Sequence, residues 1–193
     1  MLVKVRRATA DDVDAMVEVM FANPGVEQVA FMPTISGARR FSRTLWRRAG
    51  LDEFVVADDE GTVVGFAWVS EHDVSLRAGA RAAVAGWGPL GPVRLVLKGW
   101  PRRLVEIATP AGLTLIELQV HPSRRGDGIG SILLRHTIDS FGDRALSLTT
   151  RSDNPARRLY ERHGFSITSE RSHRTYERRT GSKGRILMTR PAP

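Results

Sequence analysis

The stretch Leu118-Gln-Val-His-Pro-Ser-Arg-Arg-Gly-Asp-Gly-Ile-Gly-Ser-Ile-Leu-Leu134 decides how this chain folds. It predicts a strand that ends at Pro122, then a basic turn rich in glycine, then a helix. Glycines at positions 126, 128 and 130 let backbone N–H groups converge on a ligand, because no Cβ atom obstructs the approach. The N-terminus of the following helix adds unpaired donors and the positive end of a dipole, which favour a phosphate. The alternative is a tight strand–helix connection in which the glycines serve only the turn.

Two other phosphate loops fit this stretch less well. A P-loop ends in Gly-Lys followed by Ser or Thr, and that ending is absent here. A dinucleotide fingerprint reads G-x-G-x-x-G, whereas the glycines of residues 126–130 are spaced G-x-G-x-G. The stretch therefore indicates a phosphate loop of another kind.

Strands and helices alternate along the rest of the chain. The apolar patterns predict strands at residues 2–8, 54–57, 63–69, 113–120, 145–150, 165–174 and 185–190. They predict helices at residues 9–21, 37–49, 128–141 and 154–163. Between residues 74 and 110, glycines and prolines interrupt a helical pattern, which indicates two short helices joined by a hinge. This order predicts a single domain over residues 1–193, with a mixed α/β sheet and a helical insertion at about 74–110.

The composition is that of an ordinary globular protein of 193 residues, with 41% hydrophobic and 26% charged residues. No apolar run approaches the ~18 residues that span a bilayer, so we expect no membrane association. The segment from Met1 to Asp12 lacks the apolar core of a signal peptide. Because the chain has no cysteine, disulfides and thiolate chemistry are excluded, and a cytoplasmic location is the expectation.

The formal net charge is +8, and the basic excess consists almost entirely of arginines scattered along the chain. Specific nucleic-acid binding would require a recognisable motif or stacking aromatic residues beside that charge, and the sequence shows neither. A positive field also suits a protein whose substrate carries phosphates, since it steers anions toward a cleft. We therefore expect a phosphate-bearing ligand and no specific nucleic-acid partner.

Four segments of the sequence resemble the GNAT superfamily of N-acetyltransferases. Arg125-Gly-Asp-Gly-Ile-Gly130, preceded by Val120-His-Pro, is similar to the loop with which that family binds the pyrophosphate of acetyl-CoA. Asn154-Pro-Ala-Arg-Arg-Leu-Tyr160-Glu-Arg-His-Gly-Phe165 resembles the family's Asn-x-x-Ala-x-x-x-Tyr-x-x-x-Gly-Phe motif, with the alanine shifted to position 156. Arg7-Ala-Thr-Ala-Asp near the start and Met188-Thr-Arg-Pro near the end also resemble family segments. Together the four segments touch most of the chain except the insertion.

The resemblance implies a mostly antiparallel, seven-stranded mixed sheet in which two central parallel strands, 113–120 and 145–150, splay apart. Acetyl-CoA is then the co-substrate, and no metal ion is expected. The pantetheine arm would lie between the splayed strands and bond to main-chain groups near Leu118 and Val120. The pyrophosphate would contact the loop residues Arg125, Gly126, Asp127, Gly128, Ile129, Gly130 and Ser131.

Tyr160 is the residue that the resemblance implies for general acid catalysis. When an amine attacks the thioester, a CoA thiolate leaves, and a phenol near the sulfur can protonate it. The alternative is a half-buried aromatic residue whose hydroxyl bonds to the backbone. Glu117, which lies between apolar neighbours on the central strand, is the candidate general base. The alternative for Glu117 is an ion pair with an arginine.

Three further assignments stay open on sequence alone. Asn154, which precedes Pro155, is either the N-cap of its helix or, as the resemblance implies, a residue that bonds the pantetheine or an ordered water. His121 follows a strand and is interpreted as a loop histidine. His72 and Asp73 end another strand near the expected acceptor side, so they are also candidates for the base.

The insertion at about 74–110 lies near the expected acceptor site. Its length and layout resemble the subgroup of the family that includes puromycin N-acetyltransferase, in architecture rather than in residues. It forms either a lid or acceptor wall, or a contact of a homodimer.

The resemblance implies an enzyme that acetylates a primary amine of a small molecule or peptide by direct attack in a ternary complex. The alternative class is a non-catalytic acyl-CoA-binding sensor or regulatory module.

Overall fold

The secondary structure alternates between strands and helices, as the sequence predicts. A computed structural model of the protein describes residues 3–48, 50–71, 76–110, 112–141 and 144–192. The strands are β1 (Lys4–Arg7), β2 (Phe54–Asp59), β3 (Thr62–Ser70), β4 (Leu113–Val120), β5 (Leu146–Arg151), β6 (Ser166–Ser172) and β7 (Gly184–Arg190). The helices are α1 (Val13–Phe21), α2 (Val26–Phe31), α3 (Ile35–Trp46), α4 (Leu76–Trp87), α5 (Gly91–Arg103), α6 (Ile129–Ser140), α7 (Arg157–Arg162) and α8 (Arg174–Thr180).

The seven strands form one sheet in the order β1-β2-β3-β4-β5-β7-β6. The central strands β4 and β5 run parallel, and the other neighbouring pairs are antiparallel. In the β2–β3 hairpin, Glu60 and Gly61 have positive φ angles of 52° and 88°, as a short hairpin turn in a twisted sheet requires. The predicted fold class, a mixed and mostly antiparallel seven-stranded sheet with flanking helices, is confirmed.

Helices cover both faces of the sheet, and each face buries an apolar core. On one face, α1, α3 and α4 pack over an aromatic cluster in which the ring of Trp46 lies 5.2 Å from Phe66 and 5.9 Å from Phe54. On the other face, Ile129 and Leu133 of α6 pack against β2 and β3. Each fully buried side chain of this size stabilises the fold by about 1.5–3 kcal/mol. We name the two sides of the sheet the α1 face and the α6 face.

The parallel pair β4–β5 opens along its length. Only Leu113 opposite Leu146 and Thr114 opposite Ser147 are in register, although both strands continue beyond these residues. Strand β5 is instead paired with β7 over its whole length. The splaying that the resemblance implies is therefore confirmed. We name the space between residues 115–120 of β4 and 148–151 of β5 the β4–β5 opening.

Main-chain groups of β4 point into this opening. The N–H of His121 donates to the carbonyl of Val64 in β3 at 2.9 Å. Because main-chain direction alternates along a strand, the main-chain groups of Leu118 and Val120 point away from β3 and into the opening. The Val120 carbonyl accepts a long hydrogen bond of 3.4 Å from the Nε of Arg125. Leu118 and Val120 are the positions predicted to bond the pantetheine arm.

The structure contains two helices that the sequence did not predict, α2 and α8. The expected strand 165–174 ends at Ser172, because the ring Nδ1 of His173 accepts from the N–H of Thr175 at 3.1 Å and caps α8. The rings of Phe31 in α2 and Tyr176 in α8 stack with their centroids 5.7 Å apart. Both helices are shorter than the ~12 residues at which an isolated helix becomes stable, so packing of this kind holds them.

Helices α4 and α5 lie in the predicted insertion and fold back on each other. Gly88 turns the chain between them with a φ angle of 76°. The helices approach closely at Gly91, where a Cβ atom would lie only 2.0 Å from the carbonyl oxygen of Ala83. The indole N–H of Trp87 donates to Thr34 Oγ1 at 3.2 Å, which ties α4 to the start of α3. Helix α5 also packs against α2.

Candidate active site

A cleft of about 1370 Å³ runs into the β4–β5 opening. On the α6 face, it is lined by α7 and by residues of a segment that we name the glycine loop, residues 124–131. On the α1 face, it is lined by α2 and by the C-terminal half of α5. The volume is larger than the ~300–1,000 Å³ of ordinary small-molecule pockets, which fits an elongated ligand together with a second molecule.

The glycine loop presents a row of free amide groups to the cleft. The N–H groups of residues 126–130 form no hydrogen bond with any part of the chain that the structure describes. Gly126 and Gly128 have φ angles of 94° and 81°, which a residue with a Cβ atom adopts only under strain. Helix α6 starts at Ile129, so its positive dipole end lies directly behind the loop. The loop therefore has the geometry of an anion site.

Two arginines of the loop have different surroundings. Arg124 donates from Nε to Asp127 at 2.9 Å and also pairs with Asp59 of the β2–β3 hairpin. Asp127 was predicted to contact the cofactor, and in the structure its carboxylate bonds to Arg124. Pairing with Arg124 offsets the negative charge of Asp127 beside the free amides. Among the described residues, the Arg125 side chain donates a hydrogen bond only to the Val120 carbonyl, so most of its N–H donors are available to solvent and the cleft.

Asn154 holds the turn before α7 and is not the N-cap of the helix, which begins at Arg157 with Ala156 as its N-cap. The Oδ1 of Asn154 accepts from the N–H of Ala156 at 3.0 Å, and its Nδ2 donates to Thr150 Oγ1 at 2.6 Å. The side chain thereby joins the end of β5 to the first turn before α7. Ser131 lies across the same part of the cleft, with its hydroxyl 3.3 Å from Nε2 of His163. Both residues line the cleft near the glycine loop.

Tyr160 lies on α7 at the α6 face of the opening and is only 7% exposed. Its ring packs edge-on against Phe165, with the centroids 6.0 Å apart. Within the described ranges its hydroxyl has no hydrogen-bond partner, although the side chain lines the cleft. Burial, and to a smaller extent the charge of Glu117, raises the pKa of Tyr160 to about 12. The phenol is therefore protonated at neutral pH and has a proton to donate.

Glu117 lies on the opposite side of the opening. The side chains of Leu118 and Val120 pack with the α6 core, so the alternating Glu117 and Gln119 side chains point to the α1 face. Gln119 Nε2 donates to Glu117 Oε2 at 3.1 Å. Desolvation raises the pKa of Glu117, the charge of Glu27 adds to this effect, and two nearby arginines oppose it. A carboxyl group with a raised pKa is better matched to accepting a proton near neutral pH.

The sequence did not indicate a charged network that borders the cleft on the α1 face. Arg185 of β7 donates from Nη1 to Glu27 of α2 at 2.6 Å and from Nη2 to the Thr149 carbonyl at 2.9 Å. The Tyr176 hydroxyl donates to the same Glu27 oxygen at 2.9 Å. Because these residues lie on three distant segments, no local spacing in the sequence relates them.

The histidine candidates contribute less to the site. His121 is a loop residue, as interpreted from the sequence: its Nδ1 lies 2.7 Å from the hydroxyl of Ser123. His72 and Asp73 lie outside the described residues.

In the ranges that are described, no group of three or more His, Asp or Glu side chains is arranged to hold a metal ion. Those ranges also contain no helix long and apolar enough to cross a membrane.

Comparison with protein families gives a match over residues 27–165 to the model of the acetyltransferase (GNAT) family. This range contains the glycine loop, both splayed strands, Glu117 and Tyr160. The chain belongs to the GNAT acetyltransferase family. Membership makes acetyl transfer its general chemistry and acetyl-CoA the expected acetyl donor. No functionally curated protein matches the sequence significantly.

Solved structures of other acetyltransferases share the fold of this GNAT protein. A Corynebacterium glutamicum protein described as histone acetyltransferase HPA2 and related acetyltransferase has 23% identity and a TM-score of 0.65, with 100% of this chain and 98% of that chain covered. The PaiA N-acetyltransferase of Thermoplasma acidophilum, solved with coenzyme A, has 13% identity and a TM-score of 0.60, with 99% of each chain covered. The ribosomal-protein-S18-alanine N-acetyltransferase of Escherichia coli has 20% identity and a TM-score of 0.60, with coverage of 99% and 94%.

Proposed function

We propose that this GNAT acetyltransferase transfers the acetyl group of acetyl-CoA to a primary amine of a small molecule or peptide. The observation that carries the proposal is the position of Tyr160 and Glu117 on opposite sides of the β4–β5 opening, next to a loop with free amide groups. In the proposed reaction, acetyl-CoA enters from the α6 face and the amine enters from the α1 face. Both substrates are bound together, and the amine attacks the thioester directly.

The residues present fit acetyl-CoA. The free amide N–H groups of residues 126–130 and the positive dipole end of α6 suit the negatively charged pyrophosphate. The main-chain groups of Leu118 and Val120 in the opening suit the amide groups of the pantetheine arm. The long bond from Arg125 to the Val120 carbonyl exchanges easily for a bond to the ligand, and Arg125 is then released toward phosphate oxygens.

Glu117 is proposed to remove a proton from the incoming ammonium group. A primary amine is mostly protonated at neutral pH, and only the neutral form has the electron pair for attack. The raised pKa of Glu117 makes its carboxylate a stronger base than an ordinary glutamate. The proton moves from the amine nitrogen to Glu117, and the nitrogen forms a bond to the carbonyl carbon of the acetyl group.

Tyr160 is proposed to act on the leaving group. As the carbon–sulfur bond breaks, negative charge collects on sulfur, and the phenol donates a hydrogen bond and then its proton to the thiolate. The acetylated nitrogen gives up its second proton as the amide forms, and this proton restores the phenol of Tyr160. A free N–H group of β4 in the opening steadies the oxyanion that forms during attack. Since the chain contains no cysteine, the acetyl group cannot pass through a thiol of the enzyme. Holding both substrates in one cleft supplies much of the rate.

The test is an acetyl-transfer assay with a panel of primary amines. Purified protein is mixed with acetyl-CoA and each amine, and free CoA thiol and the acetylated product are measured together. We expect thiol release that depends on the amine and equals the product formed. Tight binding of acetyl-CoA without amine-dependent release would instead identify a non-catalytic sensor or regulatory module.

A further inference from the structure

Arginines line the cleft on both faces of the sheet. On the α6 face, Arg125 and Arg162 border the cleft near the glycine loop, where the phosphates of CoA would lie. On the α1 face, Arg102 and Arg103 border it at the C-terminal end of α5. The cofactor accounts for the first pair. It does not account for the second pair, which lies on the side proposed for the amine acceptor.

Glu27, the carboxylate that Arg102 approaches, already has other partners. Arg185 is buried, with its side chain 7% exposed, and it bonds both Glu27 and Thr149. The Tyr176 hydroxyl donates to Glu27 as well. Desolvation would raise the pKa of Glu27, but the charges of Arg185 and Arg102 outweigh it and the net shift is downward. Glu27 is therefore ionised at neutral pH, and the charge of Arg185 balances it.

The guanidinium group of Arg102 has N–H donors that are available to a ligand. Its Nε lies 3.7 Å from Glu27 Oε1, which is an ion-pair distance and too long for a hydrogen bond. Its side chain is 48% exposed. Among the residues that the structure describes, the side chains of Arg102 and Arg103 donate no hydrogen bond. A guanidinium group whose five N–H donors are free is suited to bind a carboxylate or phosphate in a bidentate manner.

The wall formed by α2 and the C-terminal end of α5 has a positive charge balance while Glu117 is protonated, the form that its raised pKa favours. Arg185 and Glu27 cancel, which leaves Arg102 and Arg103 against the exposed Glu106. The charge of Arg102 also acts on the carboxyl group of Glu117, so the two groups border the same part of the cleft. An anion bound by Arg102 would consequently lie close to the proposed base.

We infer that Arg102, assisted by Arg103, binds an anionic group of the acceptor, a carboxylate or a phosphate placed a few bonds from the reacting amine. This inference rests on the proposed function and specifies the class of amine. The rigid network of Glu27, Arg185 and Tyr176 positions the wall from which Arg102 extends. A strongly cationic acceptor such as a polyamine is disfavoured here, since two arginines and no unpaired carboxylate of α2 would face its second charge.

The experiment compares matched acceptors with the wild-type protein and two variants. Each neutral amine of the panel is paired with an analogue that carries a carboxylate or a phosphate, for example an amino-acid amide with the free amino acid, and ethanolamine with O-phosphoethanolamine. We expect the wild type to prefer the anionic member of each pair. In Arg102→Gln, we expect KM for anionic acceptors to rise about 10- to 100-fold, as for the loss of a charge-assisted hydrogen bond, with little change for neutral ones.

The control is Arg81→Gln on α4, which removes one exposed positive charge outside the cleft. It should leave the preference intact, so a general effect of net charge is separated from binding at Arg102. A preference for carboxylates over phosphates, or the reverse, identifies the anion. Equal use of anionic and neutral amines, or an equal loss for both in Arg102→Gln, overturns the inference and leaves the proposed function standing. Absence of transfer to every amine counts against the proposed function itself.

Discussion

Glu117 and Tyr160 face the β4–β5 opening from opposite sides of the sheet, and burial, with a smaller contribution from the negative charge of Glu117, raises the pKa of Tyr160 to about 12. The two groups are thus electrostatically coupled across the position proposed for the thioester. Loss of a proton from one makes loss of a proton from the other more difficult. Such coupling suits a reaction in which one group accepts a proton while the other donates one.

The first prediction concerns Glu117→Gln, which keeps the shape of the side chain and removes its charge. We expect kcat/KM at neutral pH to fall by about 10²- to 10⁴-fold, the usual contribution of a general base. In the wild type, kcat/KM should decline as the pH falls through the raised pKa of Glu117, and this acidic limb should be lost in the variant. The measurement is a pH profile of acetyl transfer, and an unchanged profile would assign the base to water or another group.

The substitution Glu117→Gln should also increase the stability of the folded protein. Glu117 has a raised pKa in the folded state, so folding is favoured while the group is protonated and this contribution is lost as the pH rises through that pKa. Glutamine has no charge to desolvate, and we therefore expect a higher Tm for Glu117→Gln at neutral pH. Because the protein has only two tyrosines, ultraviolet titration can also test for a lower Tyr160 pKa in the variant.

The second prediction concerns the buried pair of Arg185 and Glu27. In Arg185→Met, Glu27 keeps its charge without its main partner, and the Thr149 carbonyl loses a donor. We expect the free energy of unfolding to fall by about 3–5 kcal/mol, as is typical when one member of a buried ion pair is removed. Urea denaturation measures the change. Tyr176→Phe is the matched control, since it removes one donor to Glu27 and should cost only about 1–3 kcal/mol.

This pair also gives a pH dependence of opposite sign to that of Glu117. The net pKa of Glu27 is lowered in the folded state, so its contribution is present above the ordinary glutamate pKa and is lost as the pH falls through the folded value. Wild-type stability should thus decrease on acidification more steeply than that of a double variant, Glu27→Leu with Arg185→Met. Equal acid sensitivity of the two proteins would show that Glu27 does not contribute in this way.

The glycine loop and the pair of Arg185 and Glu27 differ in how far the sequence could predict them. The glycine loop follows from a contiguous motif, because backbone conformation at Gly126 and Gly128 is a local property. The splayed strands and the candidate Tyr160 came from the resemblance of contiguous motifs to a known family. The bond between Arg185 and Glu27 joins residues 158 positions apart. Helices α2 and α8 depend on each other through Phe31 and Tyr176. Long-range packing of this kind leaves no local period in the sequence, so the network of Glu27, Arg185 and Tyr176 was not predictable.

The third prediction concerns two glycines of the glycine loop, Gly128 and Gly130. At Gly128, with φ at 81°, any side chain strains the backbone, so a loss of CoA binding there would be mixed with a loss of folding. At Gly130, a Cβ atom would lie 3.4 Å from Leu159 Cδ2 and 3.8 Å from Val120 Cγ2, which is ordinary contact. Gly130→Ala should therefore fold normally and place a methyl group at the edge of the opening. We expect calorimetry to give a Kd for CoA raised at least about 10-fold, and an unchanged Kd in the folded variant would contradict the proposed cofactor position.

The last prediction concerns Tyr160→Phe, because it separates an enzyme from a binding module. The hydroxyl has no partner among the described residues, so its removal leaves no unsatisfied group, and the packing against Phe165 should survive. We expect stability and CoA affinity to change little. Turnover should fall by roughly 10²-fold, near the low end for general acid catalysis, and mainly in kcat, since the lost interaction belongs to the transition state.

The leaving group provides the control for this variant. A thioester of a more acidic thiol needs less help to depart, so the difference between wild type and Tyr160→Phe should shrink with such a donor. A structural role for the phenol would instead lower the rates with both donors by the same factor. If Tyr160→Phe keeps full turnover with an amine acceptor that the wild type uses, Tyr160 is a packed aromatic residue, and the proton for the thiolate comes from water or another side chain.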